Sequence, residues 1–362
     1  MESVAMMCAR PAQAFWSGRR VLLTGHTGFK GAWAAMWLAE LGADVTGFAR
    51  APDSAPALYD MAGLSGRMRS VIGDLRDRDR VARVVADAAP EIVLHLAAQP
   101  IVRRAIADPI DTLSSNVMGT AHLLDAVRQT GSANVVLVVT SDKVYANSDC
   151  GSAFREDAPL GGKDPYSASK AATELVARSY AQTYLEDAGA RVATARGGNV
   201  VGGGDYAEDR IIPDIVRAAL AGHQPVLRMP EATRPWQHVL DCIAGYLCYA
   251  EALARDGSTP RALNFGPLPG RDVTVATLAE ATLAALGRAP DWRHDPPAVS
   301  KEMKLLAVDS TLARETLHWR DKLSGDPLVA WTADWYRAVH AGGDAYAATV
   351  RQIKAYENDE RI

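Results

Sequence analysis

Tyr166 and Lys170 lie four residues apart in the segment Asp-Pro-Tyr-Ser-Ala-Ser-Lys, which we predict to open a helix. Residues four apart share one face of a helix, so the ammonium group would lie beside the phenol. A nearby ammonium favours the phenolate and lowers the pKa of a tyrosine from its ordinary value of about 10. Such a tyrosine can accept a proton from a hydroxyl group near neutral pH. The alternative for an isolated pair is a packed ring beside a surface charge.

A second polar group, Thr-Ser-Asp-Lys at residues 140–143, directly follows the valine-rich run 135–139, which predicts a buried strand. The carboxyl ends of parallel strands form the edge at which ligands bind in such sheets. We therefore expect Asp142 and Lys143 to face the same crevice as Tyr166. An acid beside an amine can give and take protons in one reaction, whereas the simpler alternative is a capped turn.

Three glycines, Gly25, Gly28 and Gly31, follow a predicted strand at residues 21–24 and introduce a predicted helix at residues 32–41. In this setting the first allows a tight turn, the second lets the backbone approach a pyrophosphate, and the third lets the helix pack against the strand. The start of the helix supplies unpaired N–H groups and positive potential. The segment therefore predicts a dinucleotide site, although glycines alone often only make turns.

The choice between NAD and NADP stays open on these residues. NAD is commonly held by an acid at the end of the second strand, but the sequence there is Gly-Phe-Ala-Arg and contains no acid. Arg50 favours NADP if it faces the cofactor, and is otherwise a solvated side chain. Asp74 follows another predicted strand and either reaches the adenine end of the cofactor or caps a turn.

Apolar strands without alternation, separated by helices, indicate a parallel sheet covered on both faces. Further strands are predicted at residues 44–48, 92–96 and 135–139. Further helices are predicted at residues 79–88 and 116–130. This order predicts an α/β fold: a Rossmann-type doubly wound parallel sheet with a smaller C-terminal α/β substrate-binding domain.

The composition changes beyond Gly197, where proline, glycine and tryptophan become frequent. The predicted NAD-binding domain is residues 17–200 together with 237–265. The predicted substrate-binding domain is residues 201–236 together with 266–355. Residues 1–16 are predicted to form an N-terminal arm. The arm lacks the positive start and apolar run of a signal peptide.

The chain has 362 residues, of which 48% are hydrophobic and 23% charged, and its net charge is −4. These values are typical of a globular protein in water and show no basic excess for nucleic acid or an anionic membrane. The four cysteines form no C-x-x-C pair and lack histidines at metal-ligand spacing. We therefore expect inert thiols in a cytoplasmic protein, no metal site, and no membrane span, since no apolar run is long enough.

Several longer strings are more specific than the glycine loop. They are residues 26–31 (His-Thr-Gly-Phe-Lys-Gly), 140–143 (Thr-Ser-Asp-Lys), 197–205 (Gly-Gly-Asn-Val-Val-Gly-Gly-Gly-Asp) and 234–239 (Arg-Pro-Trp-Gln-His-Val). Together with the Tyr–Lys pair they resemble the extended short-chain dehydrogenases, and within them the CDP-glucose 4,6-dehydratases, over nearly the whole chain. A lysine directly after Asp142 is distinctive, because related dehydratases for dTDP- and GDP-sugars generally carry glutamate there.

The resemblance implies NAD as the cofactor, in preference to NADP, and CDP-glucose as the substrate. It implies that Tyr166, tuned by Lys170 and assisted by Ser141, takes the proton of the sugar 4-hydroxyl while hydride goes to NAD. Lys143 would then remove the proton at carbon 5, and a protonated Asp142 would donate to the leaving 6-hydroxyl. Hydride returns to carbon 6, so that a 4-keto-6-deoxy sugar forms and water is lost.

The same resemblance and the loop and strand ends above assign residues to the two ligands. For the cofactor, besides Tyr166 and Lys170, they are Thr24, Gly25, Gly28, Phe29, Lys30, Gly31, Arg50, Asp74, Leu75, Leu96, Ala97, Ala98, Asn116 and Thr140. For the substrate they are Gln99, Asn199, Arg210, Arg234 and His238. Guanidinium groups suit phosphate, so the two arginines would hold the pyrophosphate. A surface salt bridge is the alternative for each arginine, and a satisfied buried side chain for the histidine.

Rival functions differ in which residues they need. A sugar-nucleotide 4-epimerase or decarboxylase would share the Tyr–Lys pair but would not need Asp142 and Lys143. A non-catalytic dinucleotide-binding regulator commonly loses the Tyr–Lys pair. Residues 146–154 lack the bulky aromatic side chains associated with the family. The region before Arg234 does not indicate which nucleotide base is bound. Another nucleotide or hexose therefore stays an alternative.

The resemblance also implies an assembly, a homodimer or a homotetramer. The helices around residues 116–130 and 166–185 would pack into a four-helix bundle between two copies. The product would feed deoxysugars of surface polysaccharides such as O-antigens.

Overall fold

The computed structural model of the protein describes residues 10–147, 153–268, 273–296 and 306–359. Parts of the predicted arm and of the predicted substrate-binding domain, and residues 148–152, lie outside this description. The strands in chain order are β1 (Arg20–Thr24), β2 (Asp44–Ala49), β3 (Arg69–Ile72), β4 (Ile92–His95), β5 (Val135–Val139), β6 (Arg191–Gly197), β7 (Val200–Val201), β8 (Val226–Leu227), β9 (Thr233–Arg234), β10 (Gln237–His238), β11 (Ala262–Phe265), β12 (Val273–Thr274) and β13 (Arg293–His294). Seven of them form one parallel sheet in the order β11-β6-β5-β4-β1-β2-β3.

α-Helices cover both faces of this sheet. In chain order they are α1 (Gln13–Trp16), α2 (Phe29–Glu40), α3 (Leu58–Met61), α4 (Arg78–Ala88), α5 (Val102–Ala107), α6 (Pro109–Leu113), α7 (Gly119–Thr130), α8 (Pro165–Tyr180), α9 (Ile211–Leu220), α10 (Val239–Arg255), α11 (Val275–Ala285), α12 (Thr311–Leu317), α13 (Asp326–His340) and α14 (Ala345–Glu357). In β1, Val21 and Leu23 join the core shared with α2 and α10, whereas Leu22 joins the core shared with α4 and α7. The prediction of a doubly wound parallel sheet is therefore confirmed. The strands are apolar on both faces because helices cover both faces.

The predicted strands match β1, β2, β4 and β5 within one residue at each end. The predicted helix at residues 32–41 begins earlier, at Phe29, because Gly28 is extended (φ −81°, ψ 167°) and is the N-cap residue of α2. The predicted helix at residues 116–130 is in fact preceded by a π-helical turn, Ser114–Met118, that runs into α7. The sequence pattern missed this turn because a single π turn within an α-helix is too short to change the apolar period of the whole segment.

The segment 237–265, which the sequence assigns to the large domain, contains α10 and β11, and β11 pairs with β6 at the edge of the sheet. The other strands form three short pairs, β7 with β10, β9 with β12 and β8 with β13. Helices α9 and α11 pack around a small core of Ile215, Leu227 and Leu283 beside these pairs. The exact division into two domains stays a prediction.

Helix α2 links the sheet to the end of the chain. Trp33 and Trp37 are buried on the side of α2 that faces the C-terminal helices. The indole of Trp33 donates to the carbonyl of Gly203 at 2.9 Å, and that of Trp37 donates to the carboxylate of Glu357 at 2.8 Å. A helix that begins at the glycine loop therefore also anchors α14.

Candidate active site

A cleft of about 1360 Å³ opens at the carboxyl edge of the sheet, between the glycine loop, the ends of β2, β4 and β5, and the segment from β7 to α9. It brings together most of the residues assigned from the sequence. Those that line it are Gly25, Gly28, Phe29, Lys30, Gly31, Arg50, Asp74, Leu75, Leu96, Ala97, Ala98, Gln99, Thr140, Ser141, Asp142, Lys143, Tyr166, Lys170, Asn199, Arg210 and Arg234.

Two of the assigned residues lie just behind the wall of the cleft. The hydroxyl of Thr24 pairs with His95 at 2.7 Å and accepts from the backbone N–H of Ala97 at 3.2 Å. The amide oxygen of Asn116 accepts from the backbone N–H of Gln99 at 2.7 Å. These side chains hold the backbone that lines the cleft and do not line it themselves.

His238 does not face the cleft. Its side chain is fully buried, its Nδ1 accepts from the N–H of Leu240 at 3.2 Å at the start of α10, and its ring packs edge-on against Trp33 and Trp331. Burial lowers the pKa of this imidazole to about 3. The structure therefore places this side chain in the core, as the alternative of a buried histidine predicts, although its Nε2 has no hydrogen-bond partner among the described residues. The contact with the substrate stays a prediction.

The glycine loop has the shape that a pyrophosphate requires. Gly25 has φ +80°, and a Cβ there would lie 2.7 Å from the backbone nitrogen of Ala97. A Cβ on Gly31 would lie 2.0 Å from the carbonyl oxygen of Gly25, so α2 can approach the loop only because this residue is glycine. A Cβ on Gly28 would meet nothing nearer than 3.4 Å, which leaves the first turn of α2 accessible from the cleft. These residues fit the diphosphate of a dinucleotide.

Charged side chains line the cleft just after the ends of β2 and β3. The guanidinium of Arg50 binds the carboxylate of Asp53 at 3.0 Å. Asp74 is held by Arg76 through a contact of 2.6 Å, and this hydrogen bond lowers the pKa of the Asp74 carboxyl. Both residues that the sequence left open for the adenosine end thus line the cleft as members of ion pairs.

Tyr166 occupies the first turn of α8 and is buried. Burial raises the pKa of its phenol to about 12, and the hydrogen bond with Ser141 is the largest opposing effect. The Nζ of Lys170 donates to the backbone carbonyl of Val139 at 3.1 Å. The pKa of Tyr166 therefore lies above its ordinary value in this structure, because the cost of burying a phenolate outweighs the effects that favour it. The predicted influence of Lys170 on this phenol stays a prediction.

Two lysines share the floor of the cleft. Burial, together with the smaller effect of the positive charge of Lys30, lowers the pKa of Lys170 to about 7. Burial also lowers the pKa of Lys30, whose Nζ lies 5.9 Å from the centre of the Tyr246 ring. The floor is therefore a region of crowded positive charge that suits an anionic ligand.

Asp142 is 2% exposed and stands in the short 3₁₀ turn after β5. Its Oδ1 accepts from the hydroxyl of Ser141 at 2.9 Å, whereas its Oδ2 is a buried oxygen with no hydrogen-bond partner among the described residues. Burial raises the pKa of this carboxyl. The Nζ of Lys143 lies 6.0 Å from the centre of the Tyr166 ring. A buried carboxyl, an amine and a phenol therefore lie close together in the cleft, as the strand-end pattern predicts.

A buried ion pair supports this edge of the sheet from behind. The carboxylate of Glu174 on α8 accepts from Thr194 at 2.7 Å, from the guanidinium of Arg196 at 2.9 Å and from the hydroxyl of Thr140. Sequence reasoning missed this pair. A signal was present, since Glu174 lies four residues after Lys170 and so on the same face of α8, which is predicted to be buried.

Both arginines predicted to hold the substrate line the cleft. Arg234 is 8% exposed on β9, and its guanidinium donates to the carbonyl of Thr233 at 2.8 Å. Arg210 binds the carboxylate of Asp205 at 3.2 Å and also lines the cleft. Gly198 approaches Asp142 so closely that a Cβ there would lie 3.0 Å from Oδ2. The positive charge of Arg234 also acts on Asp142, where it opposes the rise of the carboxyl pKa.

Two classes of site are not found in the described part of the chain. No group of three or more histidine, cysteine, aspartate or glutamate side chains is arranged to hold a metal ion there. None of the helices described there has both the length and the apolar character to cross a membrane.

A doubly wound parallel sheet with a glycine loop after β1 and a Tyr–Lys pair beside the end of β5 defines a dinucleotide-binding α/β protein. The model of the NAD dependent epimerase/dehydratase family matches residues 21–266, more than half of the chain. The chain belongs to that family.

The chain is similar to several individual dehydratases and epimerases. It is 39% identical over 348 residues to the CDP-glucose 4,6-dehydratase of Salmonella typhimurium strain LT2, covering 94% of this chain and 97% of that one. A dTDP-glucose 4,6-dehydratase double mutant of Streptomyces venezuelae, solved with NAD bound, superposes with a TM-score of 0.76 at 28% identity, covering 90% and 99% of the two chains. The UDP-glucose 4-epimerase of Thermus thermophilus in complex with NAD gives a TM-score of 0.76 at 26% identity, covering 88% and 99%.

Proposed function

We propose that this protein is a CDP-glucose 4,6-dehydratase, a hydro-lyase that converts CDP-glucose to CDP-4-keto-6-deoxyglucose and water. The observation that carries the proposal is the adjacent Asp142 and Lys143 beside Tyr166 at the carboxyl edge of the sheet. Elimination of water needs a proton taken from one carbon and a proton given to the neighbouring oxygen. The Salmonella typhimurium relative bears this activity in its name, which supports CDP-glucose as the substrate.

NAD is the cofactor, in keeping with the family and with the NAD-bound neighbour. When bound, it would supply reversible hydride transfer between carbons 4 and 6 of the sugar. The N–H groups at the start of α2 would hold its diphosphate, with Arg50 and Asp74 at the adenosine end. Tyr166 and Lys170 would lie at the nicotinamide end.

Tyr166 takes the proton of the sugar 4-hydroxyl in the first step. Its phenol must be deprotonated to do so, although burial raises its pKa to about 12. The hydrogen bond with Ser141 and the positive charge of Arg210 favour the phenolate. The ammonium of Lys170, which also lines the cleft, would act in the same direction. The ketone that forms at carbon 4 then makes the proton at carbon 5 acidic.

Asp142 and Lys143 carry out the elimination. Lys143 removes the proton at carbon 5, and Asp142 donates a proton to the 6-hydroxyl as it leaves as water. A double bond between carbons 5 and 6 forms, and it disappears when hydride is added to carbon 6 and a proton to carbon 5. Burial raises the pKa of Asp142, which favours the protonated form that a proton donor needs. Its Oδ2, which has no hydrogen-bond partner among the described residues, is the atom from which it would donate.

A direct assay with four nucleotide sugars tests the proposal. Purified protein is incubated with CDP-glucose, dTDP-glucose, UDP-glucose or GDP-mannose, with and without NAD, and mass spectrometry follows the loss of one water. Loss from CDP-glucose alone is expected. Loss from another sugar would reassign the substrate, and interconversion of 4-epimers without loss of water would favour the rival that the Thermus thermophilus neighbour represents.

The roles within the pair are tested separately. Lys143→Ala should abolish exchange of the carbon 5 proton with deuterated solvent, whereas Asp142→Asn should keep this exchange and lose elimination. A Lys143→Ala variant that dehydrates CDP-glucose at the full rate would show that another group is the base.

We also propose that two copies of the chain associate through the helical segments around residues 116–130 and 166–185. Large apolar side chains are exposed there: Met118 at 50%, Leu175 at 50% and Tyr184 at 47%. Exposed apolar side chains clustered on one face of a molecule mark interaction sites, and the implied four-helix bundle uses these same helices. Light scattering should give a dimer or tetramer for the wild type, and Leu175→Glu should shift it to monomer.

A further inference from the structure

An ion-pair cluster lies at the adenosine end of the cleft and has no role in the chemistry proposed above. Asp53, in the loop after β2, binds Arg50 through both carboxylate oxygens, at 3.0 and 3.2 Å, and binds Arg104 of α5 at 3.1 Å. All three residues line the cleft. We call this group the Asp53 cluster.

The position of the cluster follows from the loop beside it. The hydroxyl of Thr27, within the glycine loop, donates to the carbonyl of Arg50 at 2.8 Å, and the N–H of Gly25 donates to the carbonyl of Phe48 at 2.9 Å. The end of β2 is therefore fixed directly against the loop that fits a pyrophosphate. In folds of this kind the adenosine ribose lies between these two elements. The Asp53 cluster thus stands where the ribose 2′ position would be.

The charges of the cluster bear on what can occupy that position. The 2′ position carries a neutral hydroxyl in NAD and a phosphate in NADP, and an arginine near the end of the second strand is the group that accommodates the phosphate. Arg50 stands at that place, and Arg104 is a second guanidinium within reach of the same carboxylate. Without Asp53, two guanidiniums would be available to a phosphate, which they bind well in a bidentate manner.

We infer that Asp53 sets the preference of this site for NAD, because its carboxylate holds Arg50 and Arg104 together and denies them to a 2′-phosphate. A 2′-phosphate would also meet the negative charge of Asp53 at short range, whereas a ribose hydroxyl can donate to a free lone pair of the same carboxylate. The preference thus comes from a residue in the loop and not from an acid at the end of β2. The inference rests on the cofactor site proposed above.

The test is direct binding, measured by isothermal titration of the full-length protein, freed of bound nucleotide, with NAD and with NADP. Wild type should bind NAD at least tenfold more tightly than NADP. Asp53→Asn removes the charge at nearly constant size and should raise the affinity for NADP about tenfold or more, while the affinity for NAD changes less than threefold. The side chains of Arg50, Asp53 and Arg104 are 41%, 55% and 46% exposed, so these variants should fold.

Two further variants decide between this explanation and a general effect of charge. Arg50→Ala in the Asp53→Asn background should cancel the gain for NADP. Asp125→Asn is the matched control: Asp125 also binds two arginines, Arg78 and Arg128, but lies outside the cleft, so its loss should leave both affinities unchanged.

Several outcomes would overturn the inference. They are equal affinity of wild type for the two dinucleotides, an unchanged affinity for NADP in Asp53→Asn, and a gain of equal size in the Asp125→Asn control. These readouts do not depend on turnover. A protein that binds NAD selectively but dehydrates no nucleotide sugar would contradict the proposed reaction and leave the inference about Asp53 standing.

Discussion

The cleft and the core shared by α2, α10 and α14 each bury an aspartate, but the two carboxyls have different hydrogen-bond partners. Asp142, in the cleft, has one oxygen bound to Ser141 and another with no partner among the described residues. Asp241, at the start of α10, accepts from the backbone N–H groups of Lys322 and Leu323 at 2.8 and 3.0 Å and from the hydroxyl of Tyr356 at 2.9 Å. Burial raises the pKa of both carboxyls, to about 7 for Asp241.

This difference is the one expected between a carboxyl proposed to take part in chemistry and a carboxyl that supports the structure. A buried polar atom without a partner costs free energy and does not stabilise the fold. An acid with every oxygen bound joins elements that are distant in the chain, here α10 and the segment before α13. Variants of the two aspartates should therefore affect different measurements.

The largest effect is expected on catalysis at Asp142. Asp142→Asn removes the proton donor and should slow the loss of water from CDP-glucose roughly a hundred- to ten-thousandfold. The melting temperature should stay the same or rise, because a buried carboxyl is replaced by a neutral group of the same shape. Mass spectrometry of the product and thermal unfolding measure the two quantities. A rate within threefold of wild type would remove Asp142 from the mechanism.

Asp241→Ala should give the opposite result. Two N–H groups and the Tyr356 hydroxyl lose their acceptor, so the free energy of unfolding should fall by about 3 kcal/mol. Urea denaturation measures this loss. At a temperature where the variant stays folded, its rate with CDP-glucose should match that of wild type. A large change in rate without a change in stability would contradict the structural role.

A smaller effect, dependent on pH, is expected at His238 in the same core. Burial lowers its pKa to about 3, so the folded protein holds the imidazole neutral while the unfolded chain protonates it near pH 6.5. Its contribution to stability is therefore present above pH 6.5 and is lost as the pH falls. His238→Asn, which can still cap α10, lacks this loss. The stability advantage of wild type over the variant should shrink by about 1.4 kcal/mol between pH 7.5 and 5.5, and an advantage that is independent of pH would contradict it.

The smallest effect is expected at the cap of α14, which carries Tyr356 to Asp241. Asp344 accepts from the N–H of Ala347 at 2.7 Å at the start of this helix. Asp344→Ala should lower the free energy of unfolding by about 1 kcal/mol. Denaturation of Asp344→Ala, Asp241→Ala and the double variant tests their connection, since strictly additive losses would mean that the cap and the carboxylate do not communicate.

Local patterns predicted much of the fold and part of the candidate site. The glycine loop, the apolar run of β5 and the polar residues after it are signals within a few neighbouring residues, and parallel topology brings their ends to one edge. That is why the sequence alone could place Tyr166, Asp142 and Lys143 in one cleft. The roles of these residues in the reaction stay predictions.

Properties set by distant contacts could not be predicted in this way. The high pKa of Tyr166 and of Asp142 comes from burial by segments far along the chain. His238 follows Arg-Pro-Trp-Gln in the sequence, but whether its ring faces the cleft or the core depends on Trp33 and Trp331, which the local pattern does not contain. The acid that neutralises Arg50 likewise lies in a loop with no regular pattern.

Helix α2 connects two regions that would otherwise be independent. Its first turn fits the diphosphate of a dinucleotide, and its tryptophans hold Gly203 and Glu357. Binding at one end and local opening at the other are therefore thermodynamically linked. Saturation with NAD should therefore slow hydrogen exchange of the amides of α14. Fraying of α14 should in turn lower the affinity of the glycine loop for NAD by the same coupling free energy.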